Sequence, residues 1–288
     1  MKVPLGLQPL VDNGVVDSVV RQLQSGKEAT VYVVACGEEL LCAKVYKSID
    51  QRSFQRVAEY REGRKARGSR NARATGKRGK QGKHGREVQE EEWKNAEVEA
   101  LYRLVDAGVR VPMPRGFHDG VLLMDLVVDE DGNPAPRLNE IEITPQQAHE
   151  WHAFMIDQIV RMLCVGLVHG DLSEFNVLVG PLGPVIIDLP QAVDATSNNN
   201  AFRLLERDVN NMRFSFSRII PELLATGYAF EMWDLYEAGE LQQDTLLTGQ
   251  HSRGETPADV EAVLAQIEEA RREAEIRQLG REAALTDE

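Results

Sequence analysis

The sequence VHGDLSEFNVLVGPLGPVIIDLP, from Val168 to Pro190, carries the densest chemical signal in this chain. Two apolar runs, VLV and VII, flank the turn GPLGP, and this pattern predicts a β-hairpin. The hairpin would bring Asn176 and Asp188 close together, because they lie at its two outer ends. Asp171 lies five residues before Asn176, so we expect two acids and an amide on adjacent loops.

This spacing is typical of protein kinases, which place an Asp, an Asn five residues later and a second Asp at the end of a nearby strand. Phosphoryl transfer requires a group that orients the attacking hydroxyl and oxygen ligands that hold magnesium on the phosphates. Asp171, Asn176 and Asp188 supply such groups. Each piece alone is compatible with an ordinary polar turn, but their combination favours a phosphotransfer site. We expect His169 to organise the loop by hydrogen bonding rather than to act as a base.

The N-terminal part predicts a three-stranded meander, with strands at 15–23, 31–36 and 40–46. Lys44 lies inside the apolar third strand, where an unpaired lysine is costly to bury. We interpret it as the lysine that holds the α- and β-phosphates of ATP and pairs with a helix glutamate. The alternative, an edge-strand lysine whose ammonium reaches solvent, fits Lys47 better.

A helix predicted over residues 90–104 offers the matching acid. Glu97 lies one turn from Trp93 and from Leu101, on the side that should face the sheet. We therefore predict that Glu97 pairs with Lys44. Glu99 is the fallback, because it points about 200° round the helix from Glu97.

The nucleotide-binding loops depart in part from the usual kinase pattern. No Gly-x-Gly-x-x-Gly and no Gly-x-x-x-x-Gly-Lys-Ser/Thr occurs, and only Gly26 lies between the first two strands. The apolar stretch 121–127 predicts the strand that joins the two lobes, where backbone groups bind adenine. The candidates are the C=O of Asp125 and the N–H of Val127, with Met124 lining the pocket behind.

Four motifs in this order resemble the RIO family of atypical protein kinases: SGKEATVY from Ser25, KVYK from Lys44, VHGDLSEFN from Val168 and IDLPQ from Ile187. The segment PAPRL, residues 134–138, is also similar to one that those proteins carry between their lobes. The resemblance covers roughly residues 15–227. It implies an α+β, bilobal, trimmed protein-kinase-like fold. The N-lobe would be an antiparallel β-sheet with one main helix, and the mainly helical C-lobe would lack an activation segment and a peptide-binding subdomain.

The resemblance implies an ATP- and Mg²⁺-dependent serine/threonine kinase, with Mn²⁺ as a possible substitute metal. The substrate would be an unidentified protein, the chain itself included. Asp171 would be the proton acceptor, and Asn176 and Asp188 the metal ligands. In this family the residue at the place of Asp188 has been proposed to accept phosphate transiently. The predicted nucleotide-binding residues, besides Lys44 and the joining strand, are Ser25, Gly26, Lys27, Ser173 and Glu174.

The sequence also supports, independently of the resemblance, a C-lobe that lacks an activation segment. About a dozen loop residues follow Asp188 before a helix predicted to start near Phe202, and no Ala-Pro-Glu occurs. Control by activation-loop phosphorylation is therefore not expected. Upstream, Thr144 opens a capping box with proline at the first helical position, and Gly166 follows the last turn. That helix leads into the catalytic loop, and its His149 and His152 are expected to be packing or surface residues.

We divide the chain into an N-lobe at 1–127, a C-lobe at 128–240, and a linker with a C-terminal helix at 241–288. A basic, mobile insertion is predicted at about 50–90. Its segment 61–86 holds eleven basic residues and one acid, a charge of +10 in a chain of −13, which leaves −23 elsewhere. Such a segment is either a solvated loop or a contact for RNA or an acidic partner. RNA is suggested because characterised members of the family act in ribosome maturation.

Ser69 and Thr75 of this segment are candidate autophosphorylation sites. No apolar run of signal-peptide or membrane-span length occurs, so we expect a cytoplasmic protein without a membrane partner. The three cysteines lack metal-ligand spacing and are expected to be buried, reduced thiols. Two alternative functions are a small-molecule kinase, since HGDL followed by Asn also resembles aminoglycoside and choline kinases, and an ATPase-type switch in RNA or ribosome-related assembly.

Overall fold

The computed structural model describes residues 2–26, 29–47 and 97–250. Several sequence predictions lie outside these residues: Lys27, the insertion at about 50–90 with its segment 61–86, and the C-terminal helix predicted after the linker that begins at 241. Within the described residues, no helix is both long and apolar enough to cross a membrane.

The N-lobe is built on a five-stranded antiparallel sheet. Its strand order is β1-β2-β3-β5-β4, and β3 lies at its centre. The strands are β1 (Ser18–Ser25), β2 (Ala29–Cys36), β3 (Glu39–Tyr46), β4 (Pro114–His118) and β5 (Val121–Asp125). The first strand begins at residue 18 rather than 15, because the backbone N–H of Val16 donates to Leu10 C=O and folds the chain back onto α1 (Gln8–Asp12).

Successive side chains of a β-strand point to opposite sides, so the sheet has two faces, each with its own surroundings. One face is covered by the N-terminal segment, where Leu7 and Leu10 form an apolar cluster with the sheet. The other face packs against α2, whose described part runs over residues 97–106. There Leu101 and Leu104 are buried in the core that continues into the C-lobe. Because Lys44 and Tyr46 are two residues apart on β3, both point to the α2 side.

The C-lobe is mainly helical, as predicted. It consists of α3 (Pro145–Cys164), β6 (Leu167–Val168), β7 (Val177–Gly180), β8 (Gly183–Ile186), β9 (Val193–Asp194), α4 (Ala201–Ser217) and α5 (Tyr228–Glu237). The predicted capping box opens α3, because Thr144 Oγ1 accepts from the Gln147 N–H and Gln147 Oε1 accepts from the Thr144 N–H. Gly166 ends the helix region with a φ of +69°, a conformation that favours glycine.

The predicted hairpin is present. Strands β7 and β8 pair from Val177 with Ile186 to Gly180 with Gly183. One further hydrogen bond, from the Ile187 N–H to Asn176 C=O at 3.0 Å, closes the open end. Asn176 and Asp188 therefore lie beside each other at the base of the hairpin.

Two predictions about side-chain packing have different outcomes. His152 packs between Phe216 and Tyr228, with ring centroids 5.7 Å away in each case, and burial lowers its pKa to about 4. It is a neutral core residue, as expected. The expectation that all three cysteines are buried was wrong, because Cys36 and Cys164 lie at element ends and are partly exposed. All three thiols are free.

Candidate active site

Lys44 connects the two lobes through its ammonium group. Its Nζ lies 2.7 Å from Glu97 Oε1 and 2.9 Å from Asp188 Oδ1. Burial by itself would lower the pKa of Lys44, but the two carboxylates outweigh it and hold the pKa well above its ordinary value. The stabilisation from this charge is therefore fully present at neutral pH and is lost only as the pH rises through that raised pKa. The Lys44 ammonium on β3 thus binds both Glu97 on α2 and Asp188, which follows β8.

Tyr46 completes the environment of Glu97. Its Oη donates to Glu97 Oε2 at 2.6 Å, so each carboxylate oxygen has its own donor although the residue is only 3% exposed. Burial and the neighbouring carboxylate raise the pKa of Tyr46, which keeps the phenol protonated. The predicted pairing of Lys44 with Glu97 is observed, whereas the fallback Glu99 is exposed. Sequence reasoning missed Tyr46, although the two-residue spacing from Lys44 was a usable signal.

Asp188 has an unusual backbone conformation. Its φ is +68°, in the left-handed region that residues other than glycine rarely adopt. Residues other than glycine adopt this backbone conformation mainly where the surrounding structure imposes it, and such residues cluster at functional sites. The Asp188 side chain is 41% exposed, so its carboxylate contacts the buried Lys44 and is also accessible to a ligand.

His169 organises the loop before the hairpin, as predicted. Its Nδ1 accepts from the Asp171 N–H at 3.3 Å, so the proton lies on Nε2, which is 3.1 Å from Ile187 C=O. The ring therefore bridges the loop that carries Asp171 and the strand end that precedes Asp188. Asn176 Nδ2 donates to Asp171 C=O at 2.8 Å and closes the loop from its other side.

Helix α4 holds the same loop through side chains that form hydrogen bonds with the loop backbone. The carboxylate of the fully buried Asp208 accepts from the Gly170 N–H at 2.7 Å and from the Leu172 N–H at 2.9 Å. Asn211 Nδ2 donates to Leu172 C=O at 2.8 Å, and the Arg207 guanidinium donates to Gly170 C=O. The two peptide groups that flank Asp171 are thus fixed by one helix.

Asp208 was not among the predicted site residues. The available signal was its place on the buried stripe of α4, four residues after Leu204 and four before Met212. A charged residue is rarely fully buried without a partner. An acid on an apolar stripe therefore indicates a set of donors on another element, but the sequence does not say which element.

We expect Asp208→Asn to lower kcat by roughly tenfold to a hundredfold, because an amide oxygen accepts less strongly and misplaces Asp171. Burial raises the pKa of Asp208 to about 6, although its N–H donors, His169 and Arg207 favour the charged form. Below that pH the wild-type carboxyl is protonated and resembles the amide. The ratio of wild-type to variant kcat should therefore shrink between pH 7.5 and pH 5, measured as initial phosphorylation rates. A ratio that does not change with pH would contradict this role.

The donor set at the base of the hairpin fits magnesium. The amide of Asn176 uses its nitrogen in the loop, which leaves the oxygen as its ligand atom, and Asp188 adds a carboxylate. No cluster of three or more His, Cys, Asp or Glu side chains suited to a metal occurs in the described ranges. Magnesium is usually bound by one or two carboxylates together with phosphate oxygens and waters. The pair therefore suits a metal shared with phosphate groups.

The described residues on the two sides of the loop between β1 and β2 are hydrogen-bonded to each other. The Gly26 N–H donates to Ala29 C=O at 2.8 Å. Ser25 Oγ is 3.2 Å from Lys47 Nζ and 3.4 Å from Thr30 Oγ1. Lys47 does not simply extend into solvent, as its sequence position suggested, but supports the strand end that carries Ser25. The third predicted phosphate contact, Lys27, lies outside the described residues.

The strand that joins the lobes has the predicted position. Met124 and Asp125 end β5, and the backbone N–H of Asp125 donates to Met113 C=O at 2.9 Å. The Asp125 carboxylate pairs with Arg115 at 2.5 Å, at the surface. Val127 C=O accepts from the Ala135 N–H, which anchors the following loop. The predicted adenine contacts, the C=O of Asp125 and the N–H of Val127, belong to this segment and stay predictions.

Ser173 and Glu174 lie on the short 3-10 turn Glu174–Asn176 and its cap. Ser173 is partly buried. The Glu174 carboxylate is largely buried and lies 3.6 Å from Arg218, just after α4. The nucleotide contact predicted for Ser173 and Glu174 stays a prediction.

Comparison with known proteins gives a consistent result. The sequence model of the RIO domain matches residues 30–228. The RIO-type serine/threonine-protein kinase Rio1 of Haloferax volcanii is 33% identical over 211 residues, which is 73% of this chain and 67% of that protein. Serine/threonine-protein kinase RIO1 of Caenorhabditis elegans is 28% identical over 225 residues, but this chain spans only 42% of its length.

The fold has a solved counterpart. The Rio2 kinase of Chaetomium thermophilum, crystallised as an ADP/Mg²⁺-phosphoaspartate complex, superposes with a TM-score of 0.58 at 23% sequence identity. The match covers 93% of this chain and 76% of that one. It confirms the predicted α+β, two-lobed kinase-like fold.

Proposed function

This chain belongs to the RIO family of serine/threonine protein kinases, and from that premise we propose which of its residues transfer the γ-phosphoryl group of ATP to a protein hydroxyl. The observation that carries the proposal is the position of Lys44. Its ammonium contacts Glu97 of the N-lobe at 2.7 Å and Asp188 of the C-lobe at 2.9 Å. A single cation fixed at the junction of the lobes is suited to hold phosphates there.

Each residue has a distinct part in this proposal. Lys44, oriented by Glu97, binds the α- and β-phosphates of ATP. Asp171 orients the serine or threonine hydroxyl and accepts its proton. Asn176 and Asp188 would hold Mg²⁺, which neutralises the charge that develops on the phosphate oxygens. Asp208 and His169 act indirectly, because they hold the loop that positions Asp171.

The test is to incubate the purified protein with Mg²⁺ and γ-labelled ATP and to follow protein-bound label and free phosphate together. Acid-stable label on serine or threonine, lost in Asp188→Ala, is the expected result. Label on protein that hydroxylamine removes would instead indicate a phosphoaspartate, which the relative crystallised as an ADP/Mg²⁺-phosphoaspartate complex contains. Free phosphate without protein label would contradict the proposal.

We further propose that the basic segment 61–86 binds RNA. Its charge of +10, in a chain whose remainder carries −23, supports an electrostatic contact with a polyanion. Replacing its eleven lysines and arginines by glutamine should weaken binding of single-stranded RNA at least roughly tenfold at low salt. Phosphorylation of an added protein substrate should be unchanged. Equal RNA affinity of the two proteins, measured by fluorescence anisotropy, would exclude this segment as the contact.

A further inference from the structure

One further connection between the lobes holds the end of β1. Arg137 Nη2 donates to Gln24 Oε1 at 2.6 Å, in a partly buried contact between residues 113 positions apart. Gln24 belongs to β1 and immediately precedes Ser25 and Gly26, the residues that enter the predicted phosphate loop. Arg137 belongs to the segment between the lobes. The contact therefore reaches from the joining segment to the strand that carries the phosphate loop.

The backbone around Arg137 is fixed to the catalytic hairpin. The Val179 N–H donates to Pro136 C=O at 2.8 Å, and Arg137 forms an isolated β-bridge with Leu178. The Arg137 N–H is also held, by Glu140 Oε2 at 2.9 Å. Strand β7 begins directly after Asn176. The backbone that carries the Arg137 guanidinium is therefore tied to the strand that follows one of the two proposed metal ligands.

The N-lobe partner lies at an irregularity in its strand. In the β1–β2 register, Gln22 faces Tyr32 and Gln24 faces Val31, so Leu23 is an extra residue on β1. Such a bulge changes the direction of the side chains that follow it, and bulges are frequent next to active sites. Here the bulge directly precedes Gln24. The alternation of the strand is thus interrupted at the residue that meets Arg137.

We propose that Arg137 is a positioning residue of the nucleotide site, which through Gln24 holds the end of β1, at Ser25 and Gly26, in place relative to the hairpin. The inference rests on the proposed function, because it takes the cleft between these elements as the ATP site. The contact at Lys44 does not hold the end of β1, whereas the contact at Gln24 ties that strand end to a segment that is fixed on the hairpin. The link keeps the site in its binding-competent arrangement before ATP arrives.

This role predicts which kinetic constant changes. If the competent arrangement is less populated, the apparent affinity for ATP falls by that fraction, while the bound complex reacts as before. Arg137→Ala should raise KM for ATP about tenfold, the loss expected for one charge-assisted hydrogen bond, and leave kcat within about twofold. Gln24→Leu, which keeps the side-chain size but lacks an acceptor, should have the same effect. The double variant should be no worse than either single one.

Two further variants separate the link from a general loss of structure. Gln24→Glu keeps an acceptor for the guanidinium and should retain the wild-type KM. Arg161→Ala removes an arginine whose partner is the partly exposed Asp157 one turn away on α3, and it should leave KM unchanged. Additive effects of the two single variants would overturn the proposal, as would a raised KM in Arg137→Ala alone, because Arg137 would then act on the nucleotide directly.

Equilibrium binding of a fluorescent ATP analogue distinguishes this inference from the proposed function. If wild-type protein binds the analogue but phosphorylates no protein, the proposed function fails while the non-additive pattern can still appear in Kd. If the protein phosphorylates substrate but Arg137→Ala, Gln24→Leu and their double variant all bind the analogue as the wild type does, the kinase assignment stands and the link is overturned.

Discussion

Asp171→Asn is expected to lower kcat by about a hundredfold to ten-thousandfold, because the amide cannot accept the proton of the attacking hydroxyl. The substitution leaves the loop intact, since the contacts of residue 171 with His169 and Asn176 use its backbone N–H and C=O. KM for ATP should therefore change little. The measurement is the initial rate of protein phosphorylation with γ-labelled ATP at saturating substrate.

A partly exposed acid outside the site provides the matched control for Asp171. Asp157 pairs with Arg161 one turn along α3, and Asp157→Asn removes the same charge outside the site. Its kcat should equal that of the wild type. If Asp171→Asn kept more than about a tenth of wild-type kcat, the assignment of Asp171 as proton acceptor would be wrong.

Lys44→Met is expected to abolish phosphorylation and to lower the free energy of unfolding by about 3–5 kcal/mol, the usual cost of breaking a buried ion pair. The Glu97 carboxylate, 3% exposed, would keep only the Tyr46 hydroxyl as a donor among the contacts seen here. Denaturant unfolding followed by circular dichroism measures the loss of stability. Labelled-ATP assays under native conditions measure the loss of activity.

The double variant Lys44→Met with Glu97→Gln separates stability from catalysis. Removing the second charge also removes the cost of burying it alone, so part of the stability should return. Activity should not return, because no cation remains to hold the phosphates. A Lys44→Met protein that unfolds within about 1 kcal/mol of the wild type would show that the pair does not hold the lobes together.

Much of the local structure could be predicted from short-range patterns. The capping box at Thr144 and the hairpin after Asn176 depend on residues a few positions apart, and both are present. The buried lysine of β3 was evident from its apolar neighbours. Strand boundaries were less accurate, because the start of β1 is decided by the contact of Val16 with α1.

The parts of the site that were missed all depend on distant partners. Asp208 lies 38 residues from Gly170 and Arg137 lies 113 residues from Gln24, so no local pattern connects them.

The sequence by itself determined the chemical groups of this protein and their order: a buried lysine, a helix glutamate, a loop aspartate, and an asparagine and aspartate at the base of a hairpin. Residue type, spacing and alternation suffice for that, because they act over a few bonds. The same patterns also predicted the pairing of Lys44 with Glu97, whereas only the tertiary structure decided the remaining partners. Lys44 meets Asp188, and Asp208 fixes the loop of Asp171, because a buried charge must find its partner wherever packing brings one within about 3 Å.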